Sequence, residues 1–437
     1  MMDNRQKEIG EWYIYPDRSN GRFLGYITKD DITQCRGAFP VGQNIRFLEN
    51  GNPTLREGCV LVGTSESTAT TPITRAWRFE RRDGVEIEMR SYSTVVEYRI
   101  DGVMDDFKLL KGSFTTGLEF CFAVISKSTN TVSLCYFCNG AQDWQKWSGV
   151  YATLVSFDDA ANTLTIDANP ATLGFTSSGT LIVEGLEITY SGLAANGFTG
   201  CSSMAALTAV AGDIVAQSPV AASLTSFLGS VGMVHDGRIH ARLETKQSVA
   251  NYSKLDDPDT WTTGSLDGDG GAKEIEQGGA ITAFAHDEEK LYIIKKRLIK
   301  TLQFKEAGDR VDVPVYKTYK PSDDKSSTVG AVGQRSTFHS PNGVIFVTED
   351  KTMLHLTREQ NLDYPQLIDI SSDIEPTFRA GEHGSGAGIV YKGKAYYAFK
   401  ESSTSSYNDV VAVYDIVGRR WDAPYVGWNV ADWTIIQ

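Results

Sequence analysis

The chain has 437 residues and a formal net charge of −13 at pH 7, with 41 glycines, 19 tyrosines and 19 phenylalanines. This length exceeds what one ordinary core supports, so we expect several domains or one large repeated architecture. The acidic balance argues against a protein whose main surface grips nucleic acid through phosphate contacts, since such a surface is basic. The charged fraction of 22% argues against wholesale disorder.

The six cysteines and the apolar runs bear on the environment of the protein. Six irregularly spaced cysteines are few for this length, which indicates a reduced environment rather than a disulfide scaffold. The first residues lack a basic stretch followed by an apolar core, so no signal peptide is expected. No run of about eighteen consecutive apolar residues occurs, and we therefore expect no membrane partner.

Alternation of apolar and polar residues with a period of two dominates the chain. Pairs of such strands, separated by tight turns, occur at Val85–Ile100, Glu289–Phe304, Gly343–Thr357 and Lys394–Trp421. β-branched and aromatic residues fill these strands, and Asp-Gly, Asn-Gly or Lys-Gly marks several of the bends. One short helix is predicted near Ile374–Ala380, capped by the aspartate that precedes it. The sequence therefore predicts an all-β fold.

A unit of turn, strand, turn and strand recurs along the chain. Its turns lie at His235-Asp236-Gly237, Asp287-Glu288-Glu289, Pro341-Asn342-Gly343 and Tyr391-Lys392-Gly393, with earlier units near Arg82-Asp83-Gly84 and Lys127–Trp147. The later turns are roughly fifty residues apart, the size of one four-stranded propeller blade. Because no unit can bury its apolar face alone, consecutive units must pack on one another. These features predict a β-propeller of about six or seven blades.

One interval between units is roughly twice the repeat length. The surplus falls on Tyr151–Pro219, which is rich in Ala, Thr, Gly and Ser and poor in Lys and Arg. We therefore predict an N-terminal segment with the first blades at residues 1–150, a small inserted β-barrel-like domain at residues 151–219, placed between two blades, and the remaining blades at residues 220–437. Because interfaces are poor in charge, we expect part of the inserted domain to pack against a neighbouring subunit.

Two segments contain the residue types of a redox or metal site. Cys135 and Cys138 have CxxC spacing, yet residues three apart in a strand point to opposite faces, which favours buried structural cysteines. A second segment is rich in glycine and aspartate, and oxygen ligands at such spacing can hold calcium. It lacks the glutamate and the flanking helices of an EF-hand, which favours a turn-rich loop. Its aspartates are Asp256, Asp257, Asp259, Asp267 and Asp269.

The remaining chemical candidates are weaker. Ser253–Trp261 faintly resembles the Asp-box of sialidase-type propellers, but it lacks the glycine of that motif and occurs once. The six histidines are scattered, and neither GxSxG nor a P-loop occurs. Lys295, Lys296, Arg297 and Lys300 form a basic hairpin, either solvated edge protection or a contact with DNA or an acidic neighbour. We predict no enzyme, no cofactor, and no catalytic, cofactor-binding or metal-binding residue.

Three passages resemble virion proteins of tailed bacteriophages. His235–Phe304 and Ser326–Leu356 resemble successive blades of phage virion propellers, in a SKLDDPDTWTTG-like strand and loop followed by an ITAF and KLYIIKK pattern. Gly174–Gly200 resembles a small β module that recurs in phage structural proteins. The phage propellers that this chain resembles are tail-hub, nozzle and packaged-DNA-stabilising proteins.

This resemblance implies a structural virion protein of the phage tail or head–tail connector, assembled in the host cytoplasm. The protein would form a ring homo-oligomer, commonly a hexamer, around the DNA channel, next to adaptor, portal or tail proteins. DNA would pass through an acidic lumen without specific binding. The alternative is a tail-tip propeller module that binds a host receptor or glycan. Its candidate sugar-stacking residues are Trp144, Trp147, Trp261, Trp421, Trp428 and Trp433.

Overall fold

The computed structural model describes most of the chain from residue 73 onward. Backbone and side chains are described for residues 73–125, 133–222, 229–261, 269–275, 278–286, 290–301, 329–357 and 366–434, and residue 126 is described by its strand backbone alone. Strand backbone alone is described for residues 7–9, 12–14, 25–26, 38–39, 45–47, 53–55, 302–304 and 310–314. The predicted turn at Asp287-Glu288-Glu289, the start of the unit at Lys127, and Asp267, Cys35 and Cys59 lie outside the described residues.

Six four-stranded sheets give the all-β fold a six-blade propeller arrangement, within the range predicted from the sequence. Three short strand pairs come first: β1 (Lys7–Ile9) with β2 (Trp12–Ile14), β3 (Gly25–Tyr26) with β4 (Ala38–Phe39), and β5 (Ile45–Phe47) with β6 (Pro53–Leu55). Blade 1 consists of β7 (Ile73–Glu80), β8 (Glu86–Tyr92), β9 (Val95–Ile100) and β10 (Lys108–Lys111). Blade 2 begins with β11 (Cys121–Ser126), β12 (Ser133–Cys138) and β13 (Gln145–Trp147).

A seven-stranded sheet follows before blade 2 is complete. Its strands are β14 (Tyr151–Asp158), β15 (Thr163–Ile166), β16 (Gly179–Val183), β17 (Leu186–Tyr190), β18 (Gly192–Ala194), β19 (Gly197–Thr199) and β20 (Ile214–Gln217), with helix α1 (Pro170–Leu173) after β15. The strand order is β17-β16-β20-β14-β15-β19-β18. Only Ser191 separates the two terminal strands of this order, and Thr189 of β17 bridges Ser202 just after β19, so the sheet closes on itself as a small barrel. Closure is tight, because a Cβ at Gly200 would overlap Ser191.

The barrel lies inside blade 2. After β20 the chain forms β21 (Val220–Ala221), which pairs with β13 as the fourth strand of that blade, with Lys146 opposite Val220. The sequence predicts an insertion between two blades, and this placement is wrong by one short strand. A strand of two residues carries too little periodicity to be visible in the sequence.

Blades 3 to 6 each use consecutive strands. Blade 3 is β22 (Gly232–His235), β23 (Arg238–Arg242), β24 (Val249–Tyr252) and β25 (Gly271–Glu274), and blade 4 is β26 (Ile281–His286), β27 (Leu291–Lys295), β28 (Ile299–Phe304) and β29 (Arg310–Pro314). Blade 5 is β30 (Thr337–Ser340), β31 (Gly343–Val347), β32 (Met353–Thr357) and β33 (Gln366–Asp369). Blade 6 is β34 (Glu382–Tyr391), β35 (Lys394–Lys400), β36 (Asn408–Asp415) and β37 (Arg420–Val430), preceded by helix α2 (Glu375–Ala380).

Two of the turns identified in the sequence have the backbone of a tight hairpin. Asp236 and Gly237 have φ of 51° and 63°, and Lys392 and Gly393 have φ of 47° and 75°. Both central residues are therefore left-handed, as in the type I′ turn that matches the twist of antiparallel strands. The predicted cap of α2 is wrong, because the residue at its N-cap is Ile374 and no side chain bonds there.

The chain divides into two compact units. One contains residues 61–246, 250–273 and 436–437, and the other contains residues 1–60, 247–249 and 274–435. In the first unit, separate apolar cores join blades 1 and 2 and blades 2 and 3. In the second unit, two further cores join blades 4 and 5 and blades 5 and 6. Within the described residues, no helix has the length and apolar character needed to cross a bilayer.

Candidate interaction surfaces

The barrel is anchored to blade 2 at its entrance and exit. The indole Nε1 of Trp147, the last residue of β13, donates to the carbonyl oxygen of Gln217 at 2.6 Å. The backbone N–H of Gln217 donates to the backbone carbonyl of Val150 at 3.0 Å. Trp147 is buried, and its ring lies edge-on to Tyr98 with centroids 5.2 Å apart. These contacts hold the two connections of the barrel together.

Ion pairs attach the barrel to blade 1. Lys108 Nζ lies 2.6 Å from Glu184, and Lys111 Nζ lies 2.8 Å from Glu187. Both lysines belong to β10, and both glutamates belong to the β16–β17 hairpin of the barrel. Residues 151–219 contain no Lys, Arg or His, so the barrel has no cation of its own. Its acidic residues are Asp158, Asp159, Asp167, Glu184, Glu187 and Asp213.

One surface of the barrel exposes apolar and acidic residues together. The register of β14 against β15 shifts between Leu154 and Ser156, and Val155 at this bulge is 49% exposed. The turn that ends at Asp213 bonds to Leu154 and exposes 65% of Val210. The side chains of Asp158 and Asp159, at the end of β14, are also exposed. We call Val155, Asp158, Asp159 and Val210 the barrel patch. The sequence analysis did not single out these residues.

The two cysteines of the CxxC segment lie on opposite faces of β12. Cys135 Sγ lies 3.7 Å from Met89 Sδ in the core of blades 1 and 2. Cys138 Sγ donates to the carbonyl of Gly229 at 2.7 Å in the core of blades 2 and 3. The two thiols therefore cannot share one metal ion. Burial raises the pKa of both thiols, and it raises the pKa of Cys121, which pairs with Cys138 across the strands, to about 12.

The aspartates of the β24–β25 loop bind protein groups. Asp259 accepts hydrogen bonds from Tyr136 Oη and Lys146 Nζ, both at 3.0 Å, and so ties the loop to blade 2. Asp257 accepts from Thr260 Oγ1 at 2.7 Å. Trp261 is buried and donates from Nε1 to the carbonyl of Pro258 at 2.8 Å. Among the described residues, no group of three or more His, Cys, Asp or Glu side chains could hold a metal ion.

Most of the candidate sugar-stacking tryptophans fill cores. Trp144, Trp147, Trp261 and Trp421 are at most 4% exposed. Trp428 and Trp433 are half-buried in blade 6, with ring centroids 6.3 Å apart. Their neighbours Tyr425 and Tyr396 lie 5.5 Å from Trp428 and 6.2 Å from Trp433. These four rings form the aromatic cluster of blade 6.

The basic hairpin divides into a buried and an exposed part. Lys295 is buried, and its Nζ donates to the carbonyl of Ile275 at 2.6 Å. Lys296 and Arg297, in the turn between β27 and β28, are exposed and share Glu349 at 3.1 and 3.8 Å. We call Lys296 and Arg297 the basic turn.

The histidines do not converge on one site. His286 and His339 stack with centroids 4.4 Å apart. His383 lies among the rings of Phe378 and Phe399, its Nε2 2.8 Å from the carbonyl of Phe378. Burial lowers the pKa of His383, and separately that of His355, to about 4, so both are neutral near pH 7.

Fold and surfaces together define a β-propeller that carries a closed barrel inside one blade. No protein-family model and no curated protein matches the chain. Among solved structures, Kluyveromyces lactis Hsv2 is 9% identical with a TM-score of 0.32, and the alignment covers 82% of this chain and 98% of that chain. Citrobacter koseri AztD is 12% identical with a TM-score of 0.32, covering 82% of each chain. TM-scores this low carry no argument about what the chain does.

Proposed function

We propose that the chain is a structural virion protein of a tailed phage, placed in the tail or at the head–tail connector. Copies associate into a ring beside adaptor, portal or tail proteins, and DNA passes through the lumen without specific binding. The protein assembles in the host cytoplasm and performs no catalysis. The observation that carries the proposal is the barrel, a compact domain without a basic residue that exposes Val155 and Val210.

The barrel supports subunit contact for a physical reason. Interface cores are depleted in charge, and exposed apolar residues rimmed by polar ones mark association sites. Its attachment by Trp147 and by the ion pairs of Lys108 and Lys111 fixes it against blades 1 and 2. A fixed module loses little conformational freedom when it meets a neighbour.

Several polar side chains of the types that could take part in catalysis instead bond to other protein groups. This supports a mechanical role. Asp259 joins a loop of blade 3 to blade 2, and Lys351 joins blade 5 to Glu382 of blade 6 at 3.2 Å. The net charge of −13 supports passage of DNA, because an acidic wall repels phosphates.

A second candidate function is recognition of a host receptor or glycan at the tail tip. The aromatic cluster of blade 6 favours it, because half-buried tryptophan rings can stack on sugar rings. A glycan array tests this candidate: reproducible sugar binding that the Trp428→Ala variant loses would favour it over the ring.

Light scattering and negative-stain imaging of the purified chain test the ring. The proposal predicts a closed particle of several copies, six by the phage resemblance. A monomer at every concentration would contradict it.

A further inference from the structure

The barrel patch combines apolar and acidic side chains, and the barrel itself supplies no cation; Lys108 of blade 1 pairs with Glu184 and also interacts electrostatically with Asp213. Val210 and Val155 are 65% and 49% exposed, and the exposed Asp158 and Asp159 follow Val155 at the end of β14. No residue from 151 to 219 is basic. A partner that offers positive charge next to apolar area would therefore complement this surface.

The basic turn carries an excess of positive charge. In the described part of the chain, Lys296 and Arg297 share the carboxylate of Glu349. Lys295 and Lys300 of the same hairpin add positive charge; burial and then Lys300 lower the pKa of Lys295, and Glu274 opposes that shift. A local excess of cations is unusual in a chain of net charge −13.

We propose that the barrel patch of one copy docks on the basic turn of a second copy. The inference rests on the proposed ring and names the surfaces that build it. A second copy suits the barrel patch and the basic turn at once, whereas DNA could meet the basic turn but would be repelled by the aspartates of the barrel patch.

This contact joins two different surfaces, so each copy keeps one of them available after pairing. Such a heterologous contact propagates from copy to copy and closes into a ring when the rotation permits. Because its rim is charged, the contact weakens as salt rises.

Charge reversal tests the contact. The variant Asp159→Lys reverses the charge of one exposed side chain of the barrel patch, in the β14–β15 turn. It leaves the Asp158 carboxylate free to accept from the backbone N–H of Ala161. The variant Arg297→Glu reverses the basic turn. Matched controls are Asp105→Lys and Lys254→Glu, which make the same charge changes at exposed positions outside both surfaces.

Sedimentation velocity at about 0.1 M salt measures the assembly of each variant and of an equimolar mixture. We expect each reversal to weaken self-association about tenfold or more and the controls to leave it unchanged. The mixture should recover assembly, because the reversed barrel patch of one variant then meets the reversed basic turn of the other. Circular dichroism establishes that every variant is folded.

The outcomes separate this contact from the ring itself. If the wild type assembles and the two reversals assemble equally well, the contact is wrong and the ring stands. If each charge-reversed variant fails to assemble and their equimolar mixture also fails to assemble, the two surfaces do not meet each other. A monomeric wild type overturns both proposals.

Discussion

Trp147 donates its indole hydrogen to the carbonyl of Gln217 at 2.6 Å, and this bond joins the strand before the barrel to the strand that ends it. Both residues are buried, at 1% and 7% exposure, so the carbonyl has little access to water in place of the indole. We expect this pair to help hold the barrel in its position within blade 2.

The variant Trp147→Phe tests the anchor. It leaves the carbonyl of Gln217 without the indole donor, and an unsatisfied buried acceptor costs about 1–3 kcal/mol. We expect the free energy of unfolding to fall by at least that much in urea denaturation, with faster amide exchange near Val150. Unchanged stability and exchange would show that the bond does not hold the barrel.

Gly388 in β34 is required by the ring of Phe338. A Cβ at this position would overlap that ring, so Gly388→Ala should lower the free energy of unfolding by about 1–3 kcal/mol. Gly384→Ala is the matched control, since a Cβ there meets nothing within 4 Å. Thermal unfolding should also show partial recovery when Phe338→Leu is added to Gly388→Ala. Equal loss in the control would refute the steric explanation.

The buried histidines make stability depend on pH. The pKa of His383 and of His355 is about 4 in the folded chain, below the ordinary value of about 6.5. Between these values the unfolded chain binds more protons, so stability is greatest above about pH 6.5 and falls as pH drops toward 4. Unfolding midpoints from pH 7 to 4.5 measure this loss. The loss of stability on acidification should be smaller in His383→Phe than in the wild type. An equal loss in both would show that His383 does not cause it.

The four described cysteines should resist alkylation. Cys121, Cys135, Cys138 and Cys201 are buried and have raised thiol pKa values, so little thiolate forms at pH 8. Mass spectrometry after iodoacetamide treatment should find these peptides unmodified in the native protein and modified after denaturation. Rapid native labelling of Cys138 would contradict the core position given to it.

The sequence predicted the features that local chemistry determines. The turn at Asp236-Gly237 follows from residues that tolerate positive φ, and the separation of Cys135 and Cys138 follows from strand alternation. The return of the chain into blade 2 was not predictable, because β21 is two residues long.

The barrel patch could be predicted only in part. The absence of basic residues in 151–219 is visible in the sequence. The exposure of Val155 depends on the bulge in β14, and that of Val210 depends on a turn fixed by Asp213. Both lie where Leu154 pairs with Ile166 and bonds to Asp213, residues distant from it in the chain.

The most direct test of the proposed role is to locate the protein in particles. Gold-labelled antibody against the chain, imaged on intact tailed-phage particles that carry it, should mark the axis where head meets tail or the tail itself, around the DNA channel. Particles without the chain, or label only at the distal tip, would contradict the ring around the DNA channel, and label at the tip would favour receptor binding.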